Sequence, residues 1–203
     1  MKTEHETLLS YELGNDENFK GKSTSLPSDF HKYINITCLD ISYNKIHSLP
    51  NNIGNLSKLE EIYINNNKIV EIPNSIGLLR KLEYLTINDN PIKSIPKELE
   101  KCLNLVEFAA NNCEINLIPD ELGNLPKLQV LLLNENNITS LPKSIYSLKN
   151  LYRLELRNNK LKELPSGISK LTSLKQLDIS GNLIRPTELE KLRKFLPNCL
   201  IKD

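Results

Sequence analysis

Three histidines and four cysteines are the residues of this chain best suited to metal or nucleophilic chemistry, and their spacing argues against both. His5, His31 and His47 all lie in the N-terminal part, while Cys38, Cys102, Cys113 and Cys199 are scattered along the chain. Neither set shows the short separations of a zinc site. The chain has no G-x-S-x-G elbow, no G-x-x-x-x-G-K-[ST] phosphate loop and no H-E-x-x-H motif. Asp40 and Glu61 could serve as an acid–base pair, yet paired acids occur on most solvated surfaces and no pocket is evident around these two. The residues therefore point to no catalytic group, no metal and no cofactor, and an enzyme is the remotest reading.

Composition narrows the partners. Of 203 residues, 26 are Lys or Arg and 25 are Asp or Glu, giving a formal net charge of +1. Such a balance creates no field that would draw in nucleic acid or an anionic membrane. No apolar run approaches the roughly 20 residues needed to span a bilayer, and the start, MKTEHETLLSYELG, lacks the basic-then-apolar order of an export signal. As written the chain is expected to be cytoplasmic, monomeric and free of nucleic acid and membrane insertion. Scattered cysteines suit a reducing compartment.

What positions every other residue is a repeat. The frame LxxLxLxxN recurs with first positions at Ile36, Leu59, Leu82, Leu105, Leu128, Leu151 and Leu174, each step being 23 residues. An unbroken period of this kind means stacked copies of one supersecondary unit, none of which can bury its apolar face alone. In the second copy Ile62 and Ile64 are two apart and share one side of an extended segment, leaving Glu61, Tyr63 and Asn65 on the other. Asn67 then turns inward, where its carboxamide can bond backbone groups that the bend leaves unpaired. Ile69 and Ile72 cross the core, Pro73 stands where no strand hydrogen bond is needed, and the spacing of Ile76 and Leu79 predicts a short helical or 3₁₀ turn with one buried face.

The pattern resembles the leucine-rich repeat family, in the subclass whose second half reads LPxxIxxL, carried here by Leu49-Pro50, Ile72-Pro73, Ile95-Pro96, Ile118-Pro119, Leu141-Pro142 and Leu164-Pro165. Similar repeats occur in intracellular Ras-group-related and Scribble-type proteins, in Roco proteins and in many bacterial proteins. The match runs over roughly residues 24 to 203. It implies an α/β solenoid, curved, with a concave parallel sheet and short helical or 3₁₀ segments on the convex side, that binds macromolecules through the sheet. Cys113 falls on the Asn position of its repeat, where the family also uses Cys. Cys102 falls on an apolar return-arm position and Cys199 in the terminal segment, and both are expected to be buried.

The ends of a solenoid need covers. Thr3 and Glu6 form a capping-box pattern, with Leu8, Leu9 and Leu13 on one helical face and Gly14 as a stop, so a short helix is expected there. Leu26-Pro27, Phe30 and Tyr33 supply a degenerate half-repeat. After Ile184, Thr187 and Glu190 make a second T-x-x-E start, and Leu189, Leu192 and Leu196 recur at helical spacing before Pro197. LPNCLI resembles the terminal cap of bacterial members, which suggests that the natural C-terminus is present. One domain is expected, with a cap over residues 1–35, seven repeats over 36–184 and a second cap over 185–203.

The repeat also sorts the residues left free to face outward. The first column runs Cys38, Glu61, Tyr84, Glu107, Val130, Arg153, Gln176; the second Asp40, Tyr63, Thr86, Ala109, Leu132, Glu155, Asp178; the third Ser42, Asn65, Asn88, Asn111, Asn134, Arg157, Ser180. Tyr63, Tyr84, Thr86, Ala109, Val130 and Leu132 make a weakly polar strip flanked by Glu61 and Glu107 on one side and Arg153 and Arg157 on the other. Aromatic and arginine anchors around an apolar centre suit a protein-binding surface. The asparagines of the third column are assigned to satisfying turns, and the lysines Lys58, Lys81 and Lys127 on the opposite flank to a solvated face. The expected function is non-catalytic scaffold-like binding of a protein or peptide; a secreted bacterial effector or adhesin is the alternative.

Overall fold

The computed structural model describes residues 10–12, 23–27, 30–164 and 166–203. Nine short strands form one all-parallel sheet in sequence order: β1 (Ser10–Glu12), β2 (Cys38–Asp40), β3 (Glu61–Tyr63), β4 (Tyr84–Thr86), β5 (Glu107–Ala109), β6 (Val130–Leu132), β7 (Arg153–Glu155), β8 (Gln176–Asp178) and β9 (Leu200–Lys202). From β2 to β8 every pairing is offset by one full repeat, for example Ile62 with Leu85 and Leu85 with Phe108. The sheet is curved and does not close on itself. From β2 to β8 the central residue of each strand is buried while the first and third face out, apart from the buried Ala109.

Behind the sheet, the frame residues pack into one continuous core that extends from Phe30 and Tyr33 to Leu192 and Leu196. At about 25 cal/mol per Å² of apolar surface removed from water, this burial is the main source of stability. On the return side, 3₁₀ turns span Asn51–Asn55, Asn74–Leu78, Lys97–Lys101, Asp120–Asn124, Lys143–Ser147 and Ser166–Lys170. Pro50, Pro73, Pro96, Pro119 and Pro142 each precede one of them in an extended conformation. Gly77 permits close stacking, since a Cβ there would lie 2.5 Å from the Glu98 carbonyl oxygen.

The inward asparagines stitch neighbouring repeats together. Asn67 Nδ2 donates to Ile41 O at 2.9 Å in the preceding repeat, and to Ile64 O and Asn65 O in its own, while its Oδ1 accepts from Ile46 N at 3.0 Å. Asn90, Asn136, Asn159 and Asn182 repeat the arrangement. Cys113 keeps half of it: its Sγ donates to Ile87 O at 3.4 Å, and Ile92 N, which would bond a carboxamide oxygen here, donates instead to Asn90 O at 2.8 Å. Burial pushes the Cys113 thiol up to about 11.

The ends differ from the sequence expectation. Within the segment expected to be helical, Ser10–Glu12 is a strand, because β2 would otherwise present a row of unpaired backbone groups. Thr3, Glu6, Leu8, Leu9, Leu13 and Gly14 lie outside the described residues. At the other end helix α1 (Pro186–Phe195) starts one residue before Thr187, with Arg185 as its cap and no side-chain cap bond. Proline at the first helical position has its φ preset and no N–H to satisfy, so Thr187 falls inside the first turn. The final strand β9 lies within the segment expected only as a helical cap, its short LIK run carrying too little alternation to signal a strand. Cys102 is buried, as its frame position requires, but Cys199 is only half-buried. No disulfide joins the four cysteines.

Candidate functional site

The concave face is built by the strand register. Glu61, Tyr84, Glu107, Val130 and Arg153 align across β3 to β7 as one column, and Tyr63, Thr86, Ala109, Leu132 and Glu155 as the next. Adjacent strands of a parallel sheet lie about 4.8 Å apart, so each column is a row of closely spaced side chains. Lys202 and Leu200 of β9 extend the two columns beside Asp178 and Gln176.

Hydrogen bonds fix much of this surface in place. The Tyr63 hydroxyl donates to Glu61 Oε2 at 2.8 Å, and burial together with that carboxylate pushes its pKa upward, so the phenol stays a donor. Asn65 Nδ2 donates to Thr86 Oγ1 at 2.9 Å. The third column forms a second ladder: the Oδ1 atoms of Asn65, Asn88, Asn111 and Asn134 accept from the backbone N–H of Asn88, Asn111, Asn134 and Arg157 at 2.7–2.8 Å. These asparagines are structural, each giving the next repeat's bend an acceptor.

Three of the residues expected to meet a partner are less available than their positions suggest. Ala109 is 2% exposed, in register between the larger Thr86 and Leu132, so it offers a partner almost no contact surface. Arg153 pairs with Glu155 two residues along its own strand, and Arg157 with Glu135 at 2.6 Å. Glu155 also accepts from Asn134 Nδ2 at 2.6 Å. Sequence spacing could not show these pairs, because they depend on which rotamers bring long side chains together. Tyr84, Glu107, Val130 and Leu132 remain half-exposed on the face.

Among the described residues no group of three or more His, Cys, Asp or Glu is arranged to hold a metal, and no helix is long and apolar enough to cross a membrane. Lys58 and Lys127 on the flank donate to Asn35 and Asn104 at 2.7 Å, in an exposed setting.

Fold and register together define a repeat solenoid, and the comparisons agree. Residues 96–196 match the family described as leucine-rich repeat region, and residues 30–92 the family described as leucine rich repeat. The chain belongs to the leucine-rich repeat family. A leucine-rich repeat protein from Leptospira interrogans is similar at 37% identity and a TM-score of 0.86, over 89% of this chain and 46% of that one. The ectodomain of the Arabidopsis thaliana receptor kinase GASSHO1/SCHENGEN3, solved in complex with Casparian strip integrity factor 2, is similar at 30% identity and a TM-score of 0.82, over 97% of this chain and 24% of that one. The Arabidopsis receptor kinase HAESA, solved with the peptide hormone IDA and the co-receptor SERK1, is similar at 31% identity and a TM-score of 0.69, over 81% and 33%. This chain thus spans less than half the length of each. No curated protein matches the sequence.

Proposed function

We propose that this chain is a non-catalytic recognition module that binds a protein or peptide on its concave sheet, centred on the strip from Tyr63 to Leu132. The observation that carries the reading is the placing of Val130 and Leu132, in register with Glu107 and Ala109, on the outward face of β6. Their counterparts in other strands are polar or charged at most positions, so the fold itself has no need of aliphatic residues there. Support also comes from the two plant receptor kinases, one solved in complex with Casparian strip integrity factor 2 and the other with a peptide hormone and a co-receptor.

The mechanism is rigid presentation. Two asparagine ladders and the sheet hold the outward side chains in fixed order before a partner arrives, so little conformational entropy is lost on binding. Affinity purification from the native cell, with the wild type beside a Tyr84→Glu/Leu132→Glu variant, tests the reading. The wild type is expected to retain a partner that the variant loses; equal recovery by both would remove this face from consideration.

A further inference from the structure

The concave face is electrostatically uneven. At its C-terminal side both guanidinium groups are matched within the chain, Arg153 by Glu155 and Arg157 by Glu135. Toward the N-terminal side Glu61 and Glu107 stand one strand to either side of Tyr84, in register. Among the described residues neither carboxylate has an ion-pair partner. Glu61 accepts from the neutral hydroxyl of Tyr63. Two uncompensated negative charges flanking an aromatic ring form a surface complementary to a cation, since carboxylates attract it and the ring face adds a cation–π contribution. On the next strand, β6, the half-exposed Val130 stands in register with Glu107, and Leu132 lies two residues further along. These two aliphatic side chains give the acidic pair an apolar neighbour on the same face.

We propose that the segment bound on this face places a lysine or arginine side chain over Tyr84, between Glu61 and Glu107, and sets a neighbouring apolar side chain against Val130 and Leu132. This rests on the concave sheet being the binding face. An acidic segment is disfavoured at the same place by like-charge repulsion.

Selecting a phage-displayed library of random linear peptides against the full chain, then measuring the enriched peptides in solution, tests the assignment. The expected result is enrichment of a basic residue followed closely by an apolar one, with affinity that falls as salt rises. A Glu61→Gln/Glu107→Gln variant, which keeps an acceptor for Tyr63, is expected to weaken these peptides about tenfold, in line with the loss of a charge-assisted contact. Peptides that bind the Gln variant as well as wild type but are lost with Leu132→Glu would overturn the basic-segment assignment and leave the concave face standing. Peptides indifferent to all three substitutions would overturn both, and a library that yields no binder counts against the assignment. A second copy of this chain as the occupant would appear in sedimentation as a dimer abolished by Leu132→Glu, and would overturn it too.

Discussion

The ring of Tyr146 lies against Gly167: a Cβ built on that glycine would fall 2.6 Å from Tyr146 Cδ2. Tyr146 occupies the place in its return turn where Gly54, Gly77 and Gly123 stand in theirs, and it is buried. A large residue at a close-stacking position is accommodated because the next repeat contributes a glycine opposite it. Gly167→Ala should therefore destabilise the chain by about 1–3 kcal/mol, the range for overpacking. The penalty should shrink in a Tyr146→Ala background, and urea unfolding of the four proteins of this double-mutant cycle measures the coupling. An unchanged penalty would place the strain elsewhere.

The two asparagine ladders should differ in cost. Asn67→Ala strips partners from Ile41 O and Ile46 N in a dry interior and is expected to cost about 2–4 kcal/mol. Asn65→Ala leaves the Asn88 N–H near water and should cost about 1 kcal/mol. Thermal unfolding of both variants gives the ranking, and equal losses would contradict the division into inner and outer ladders.

Where Cys113 interrupts the inner ladder, Ile92 N–H has turned to Asn90 O. Cys113→Asn offers the missing carboxamide oxygen and should raise stability by about 1 kcal/mol, seen as a higher urea midpoint. A lower midpoint would mean that the local turn at Pro91 leaves no space for the larger side chain.

Tyr84→Glu and Leu132→Glu, singly or together, should shift unfolding free energy by less than about 0.5 kcal/mol, since both positions face out and belong to neither ladder. A large loss of stability would make any accompanying loss of binding uninformative and would show that these residues support the fold.

Alkaline pH should unfold the chain earlier than its net charge suggests. Burial pushes the Cys102 thiol up from 9.0 to about 12, opposed in part by the charge of Arg80, and the Cys113 thiol up to about 11. A raised folded-state value means that the native form holds its proton after the unfolded form has lost it. The stability from these two thiols is complete below pH 9 and is lost progressively as pH rises through about 11 to 12. Urea midpoints that fall between pH 8 and 11, less steeply in a Cys102→Val variant, would agree. Native Cys102 should also resist alkylation at pH 8 until urea is added.

The LxxLxLxxN frame was sufficient by itself to determine the solenoid, because a 23-residue period with apolar residues at fixed offsets has one economical way to bury them. Pairing register, the inner asparagines, the buried Cys102 and the 3₁₀ turns all follow from phase alone. The frame also told which residues face outward, since alternation along a strand is a local rule. Tertiary structure decided what those residues do once there. Ala109 sinks between longer neighbours, Arg153 and Arg157 turn to Glu155 and Glu135, and the edges recruit Ser10–Glu12 and Leu200–Lys202 as strands. Each of these outcomes depends on atoms a full repeat away or on side-chain rotamers, and neither is encoded in the spacing of a single segment.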